Sequence, residues 1–353
     1  MADVMMILSH SDETVRRAML WEPLDAGRVR CRLCAHRCVI EEGARGICRV
    51  RENRGGVLHT LVYGSIVAEH PNPVELKPLH HFHPGTSQHS IATPGCNFRC
   101  PWCQNAEIAQ APAERRLQGT ARTPEQIVEA ALHRGCQAVS YTFTEPTVFF
   151  EFARDTAELS RAEGLANTFV TNGYMTPEAL TVAAQWLDAA NVDLKAFSDE
   201  TYRRHPGARL RPVLDTLRGM VAHGIWVEVT TLVIPGVNDS PGELRELATF
   251  IARELGPEVP WHLNRFHPAH EMTERSPTPV ETLARARDIG GEAGLRYVYV
   301  GNVSGEQNTY CHACGELLVR RARFGLVENR VTEAARCPSC GTPVAGVGMS
   351  PER

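Results

Sequence analysis

The sequence predicts an α/β fold, a partial (β/α)6-type barrel with small cysteine-rich metal modules at both ends. Three observations lead there. Short apolar runs alternate with helical segments between residues 61 and 303, the pattern of parallel βαβ units. Eleven of the twelve cysteines fall into three tight groups, 31/34/38/48, 96/100/103 and 311/314/337/340. The 353 residues suit one barrel with appendages. The predicted division is an N-terminal cysteine-rich module at 1–60, the barrel at 61–303 and a zinc-ribbon-like module at 304–353.

Taken in order, the N-terminal stretch CRLCAHRCVIEEGARGICRVRENRGG has no long helical period. Seven runs then read as buried strands: 89–95, 137–144, 167–173, 191–197, 226–234, 261–267 and 296–303. Many are rich in Val, Ile, Thr and aromatics, as buried strands are. Helical segments lie between them, at 123–133, 151–163, 176–187 and from Ser240 onward. Two open on Thr-Pro and one on Ser-Pro. The hydroxyl caps the helix and the proline loses no needed N–H. Strand–helix units of this kind put an active site at the strands' C-terminal ends.

The formal net charge of −4 gives no general attraction to nucleic acid or anionic membrane. No run approaches a membrane span, and the N-terminus lacks the basic start of a signal peptide. A reducing, cytoplasmic setting is expected, since closely grouped cysteines argue for metal rather than disulfides. Cys136, outside the groups, reads as a small buried hydrophobe. His80, His81 and His83 lack the helical spacing of a metal pair and read as a loop covering the barrel.

The stretch GCNFRCPWC places Cys96, Cys100 and Cys103 in a C-x3-C-x2-C loop directly after the first predicted strand. Three thiolates on one short loop suit an iron–sulfur cluster, whose sulfides bridge several irons. A [4Fe–4S] cube so held keeps one iron open, and open positions are where metals do chemistry. The plainer alternative is a zinc site or scattered structural thiols.

At the C-terminus, CHACG (Cys311, Cys314) and CPSCG (Cys337, Cys340) have the form of a zinc ribbon, a closed structural site. Iron is the alternative metal. The spacing C-x2-C-x3-C-x9-C of Cys31, Cys34, Cys38 and Cys48 also offers four ligands. Zinc and an auxiliary iron–sulfur cluster both fit it.

The GCNFRCPWC loop resembles the signature of the radical S-adenosylmethionine enzymes. With TFTEPT, TNGY, DLK and the terminal CxxCG pairs, nearly the whole chain resembles the radical S-adenosylmethionine protein of the AmmeMemoRadiSam system, related to pyruvate formate-lyase activating enzymes. The resemblance implies a [4Fe–4S] cluster with S-adenosylmethionine on its open iron, and reductive cleavage to a 5′-deoxyadenosyl radical. It implies that Glu145, at the place of a Gly-Gly-Glu motif, binds the cofactor's amino group. Thr171, Asn172, Asp193 and Lys195 would lie around its carboxylate, and His267 at its nucleoside. An arginine that the group carries before its V-P-G segment is Thr230 here.

Each position also has a structural reading. Glu145 can cap a helix, Asp193 and Lys195 can form a buried ion pair, and His267 can sit at the core edge. The kinship implies a protein glycine as substrate, with direct modification of a small molecule or peptide as the alternative. A non-catalytic metal-binding adaptor is the contrasting class. Implied partners are an electron donor such as flavodoxin or ferredoxin, and Memo-like and AMMECR1-domain proteins.

Overall fold

The structure, a computed structural model, describes residues 14–110, 119–322 and 325–351. Its centre is one eight-stranded sheet. Strand β1 (Ala68–Pro73) runs antiparallel to β2 (Ser87–Ala92). Then follow β3 (Ala138–Tyr141), β4 (Ala166–Thr171), β5 (Ala189–Asp193), β6 (Trp226–Val233), β7 (Trp261–Arg265) and β8 (Val298–Gly301), all parallel to β2 and in chain order. All seven predicted strands are present, and most end earlier than the sequence suggested. The freed residues beyond them form loops at the C-terminal rim. Strand β1 escaped prediction because its sequence, AEHPNP, holds two prolines. An edge strand tolerates proline because one side of its backbone needs no ladder partner.

Crossover helices join the parallel strands. These are α1 (Pro124–His133), α2 (Phe150–Ala162), α3 (Pro177–Ala183), α4 (Leu210–Ala222), α5 (Pro241–Phe250) and α6 (Val280–Glu292). The predicted caps form. Thr123 accepts from the Gln126 N–H while Gln126 returns a bond to the Thr123 N–H, a capping box. Thr176 and Ser240 accept from the N–H groups of Ala179 and Glu243. Helix α3 is shorter than its sequence pattern. The chain turns after Ala183 so that Trp186 can pack among Tyr141, Phe150 and Phe169. Cys136 is buried, as read from the sequence.

The N-terminal cysteine segment contributes Val29, Leu33, Ile40, Val50 and Leu58 to the same apolar core as the barrel. A buried ion pair between Arg51 and Glu151 of α2 ties the two together. The C-terminal module has a small core of its own, built from Leu318, Val319, Val331 and Val344 around Cys311 and Cys337. Among the described residues no helix is long and apolar enough to cross a membrane.

The His80–His81 loop closes the end of the barrel where the parallel strands begin. Glu228 at the base of β6 accepts from the backbone N–H groups of His80 and His81, from Trp226 Nε1 and from His262 Nε2. Ligand atoms of His80, Glu228 and His262 lie within 4.8 Å of one another. Both Glu228 oxygens are nevertheless occupied by these donors, so the group is a hydrogen-bonded floor.

A second chain of bonds joins this floor to the C-terminal module. Arg321 can only donate, and it donates to Thr309 Oγ1. The Ala345 carbonyl can only accept, and it accepts from His81 Nδ1. The links between them are therefore directed: Thr309 donates to Tyr299, and Tyr299 donates to His81 Nε2. His81 must be neutral to serve in this chain, and burial pushes its pKa down to about 4. Burial lowers His80 as well. Both groups therefore stabilise the fold above the unfolded-state value near 6.5 and lose that contribution as pH falls. Full protonation of His81 would cost about 3 kcal/mol. The urea midpoint is expected to fall steadily from pH 6.5 toward 4, with a shallower slope in His81→Asn. An unchanged slope in that variant would remove His81 as the cause.

Candidate active site

At the opposite rim a cavity of about 300 Å³ opens. Its lining includes Cys96, Cys100 and Cys103, together with Glu145, Thr171, Asn172, Asp193 and Lys195. The structure thus gathers eight of the nine barrel residues singled out in the sequence. They come from four places in the chain because parallel strands align their C-terminal ends.

The cysteine loop is fixed on all sides. Gly95 precedes it at φ +105°, and a Cβ there would stand 2.6 Å from Val50 Cγ1. That close approach explains a glycine at this position. Phe98 is buried edge-on against Tyr174, and Trp102 packs beside His205. The Phe98 N–H points at Cys96 Sγ at 3.4 Å. Asn172 Nδ2 holds Asn97 Oδ1 at 2.7 Å. Burial raises the thiol pKa values of all three cysteines, Cys100 to about 12 even though the Lys195 ammonium pulls it down. A metal that takes these ligands must displace their protons.

Glu145 is buried at the start of the turn before α2. Its Oε1 accepts from Thr147 N, Thr147 Oγ1 and Thr171 Oγ1, while among the described residues Oε2 accepts from Asn172 N alone. Burial raises its pKa, and the hydrogen bonds oppose that rise. Helix capping and an open lone pair on Oε2 coexist in one side chain. Lys195 Nζ lies 2.7 Å from Asp193 Oδ2. Burial works against the Lys195 charge, but Asp193, with Cys100 and Tyr202 adding to it, raises the pKa.

His267 is the exception. It is exposed beyond the end of β7, is not among the lining residues, and its Nε2 stands 3.4 Å from the Asn302 carbonyl. Asn264 and Asn302 line the wall on that side instead. The strand alternation held the missed signal. Glu228, Thr230 and Leu232 share one face of β6, and His262 and Asn264 share one face of β7. Lys77, Asn105 and Phe143 also line the cavity and were not anticipated. Phe143 adopts φ +63°, a left-handed conformation that favours glycine. The glycine-like backbone persists where the sequence shows a bulky residue.

The donor set fits a three-thiolate cluster with one open iron. Among the described residues the lining holds no histidine and no fourth cysteine. Thr230 Oγ1 is buried at the cavity without a hydrogen-bond partner, a group a bound polar ligand would satisfy.

The sequence model of the Radical SAM superfamily matches residues 90–250. The chain is 44% identical over 333 residues to the uncharacterized protein MJ0808 of Methanocaldococcus jannaschii, a match covering 94% of this chain and 99% of that one. It is 24% identical over 163 residues to the pyruvate formate-lyase-activating enzyme of Clostridium pasteurianum, covering 44% of this chain and 66% of that one. The isethionate sulfite-lyase activating enzyme of Nitratidesulfovibrio vulgaris is 26% identical over 196 residues, covering 53% of this chain and 61% of that protein. With the family's cysteine loop and a mainly parallel sheet both in place, this chain belongs to the radical SAM superfamily.

Proposed function

We propose that the chain binds a [4Fe–4S] cluster through Cys96, Cys100 and Cys103, and S-adenosylmethionine in the adjoining cavity, and acts as a radical oxidoreductase. One observation carries this reading: three thiols of one loop line a cavity whose described lining holds no fourth cysteine and no histidine. When bound, the cluster supplies one electron to the sulfonium, giving methionine and a 5′-deoxyadenosyl radical that takes a hydrogen atom from the substrate.

The chain's own residues bind and orient. Glu145 Oε2 would accept a hydrogen bond from the cofactor's amino group, a charge-assisted bond. Lys195, its charge offset by Asp193, faces the carboxylate. Thr171 and Asn172 hold Glu145 in position. Thr230 gives its unpartnered hydroxyl to the same ligand, taking the arginine's place. Asn264 and Asn302, nearer the cavity than His267, donate to the nucleoside.

A backbone glycine of a protein is the proposed hydrogen donor. Support comes from two relatives whose names mark them as activating enzymes of lyases. An electron donor of the flavodoxin or ferredoxin kind, and Memo-like and AMMECR1-domain partners, follow from the sequence resemblance. At the C-terminal module the proposed metal is zinc. Its sulfurs pair at 3.6 and 3.7 Å, against a tetrahedral edge of about 3.8 Å for Zn–S bonds near 2.3 Å.

Anaerobic reconstitution with iron, sulfide, dithionite and S-adenosylmethionine is expected to yield 5′-deoxyadenosine slowly without substrate, and faster with the right one. Deuterium carried from a glycine-labelled protein into the deoxyadenosine would identify the donor. No deoxyadenosine from cluster-loaded protein would favour the adaptor instead.

A further inference from the structure

The two outer cysteine sets are built to different dimensions. The Cys311, Cys314, Cys337 and Cys340 sulfurs all lie within 4.8 Å of one another, the size of a single-ion site. Among the described residues, no three of the Cys31, Cys34, Cys38 and Cys48 sulfurs all lie within that distance of one another. They surround a small internal void of about 20 Å³ whose other walls include Leu33, Ile40 and Val148. Four thiols held wider apart than those of a single-ion site suit a group with bridging atoms of its own.

The surroundings suit an anionic group. Arg51 is buried, with Nη1 at 3.7 Å from Cys31 Sγ and its Nε without a partner. The void also backs directly onto the barrel's cysteine loop. His36 Nε2 lies 2.8 Å from the Asn97 carbonyl, and Arg99 donates to the Ile47 carbonyl. A Cβ on Gly95 would meet the Cys48 carbonyl at 3.3 Å.

We infer that Cys31, Cys34, Cys38 and Cys48 hold a second iron–sulfur cluster of the four-iron class, and not zinc. With four protein thiolates its coordination is closed, so it offers no iron to a substrate. This site is independent of the reaction proposed above and can fail without it.

Metal and sulfide analysis of the full chain, produced and reconstituted without oxygen, tests the inference. About eight iron, eight sulfide and one zinc per chain are expected, since each cube holds about four iron. About four iron and two zinc would overturn it, while leaving the barrel cluster intact. A variant with Cys96, Cys100 and Cys103 all changed to Ala should keep about four iron with matching sulfide and a cubane Mössbauer spectrum. Adding Cys34→Ser and Cys48→Ser should remove that iron. Zinc in its place in the triple variant, or iron unchanged after the added substitutions, would overturn the assignment.

Discussion

Cys100→Ala is expected to bring 5′-deoxyadenosine formation down to background. Cys100 is one of three thiols facing the cavity, and no other cysteine or histidine of the described lining can replace it. Changes one shell out from a metal already cost 10- to 100-fold, so loss of a ligand should exceed about 100-fold. The fold should survive. Cys100 is small, and the aromatic neighbours Phe98 and Trp102 that anchor its loop are unchanged. The checks are deoxyadenosine yield under anaerobic dithionite, alongside circular dichroism of the same sample. Undiminished product from the folded variant would refute the cluster assignment at this loop.

Glu228→Ala should produce the largest loss of stability. Glu228 is fully buried, and burial alone would raise its pKa, but the His262 hydrogen bond, with His81 close by, holds it below the usual carboxylate range. Truncation leaves the His80 and His81 N–H groups, Trp226 Nε1 and His262 Nε2 without their acceptor. Breaking a buried pair of this kind costs about 3–5 kcal/mol. Glu228→Gln should lose less, because one oxygen still accepts while the new amide faces a donor. Urea unfolding at pH 7 measures both. A loss under about 1 kcal/mol for the alanine variant, the scale of a single ordinary hydrogen bond, would show that the floor carries little of the fold.

The site was partly legible because several of its residues stand at strand ends in recognisable company. Cys96, Cys100 and Cys103 share one loop, and Glu145, Thr171, Asn172, Asp193 and Lys195 each follow or close a strand. His267 lies two residues past β7 and turns outward, while Asn264, inside the strand, faces the cavity. Phe143, where the Gly-Gly-Glu motif has its first glycine, keeps a left-handed backbone that residue type alone does not suggest.

Local chemistry alone determined the seven strands, the hydroxyl–proline helix starts and the three cysteine groups, since each depends on neighbours a few residues apart. Distances between remote residues lay beyond it. The merging of the N-terminal segment with the barrel core, the Glu228 floor, and the contrast between a tight and a wide set of four sulfurs come from packing between segments far apart in the chain. Cysteine spacing says how many ligands are near, and only the folded chain sets how far apart they are held.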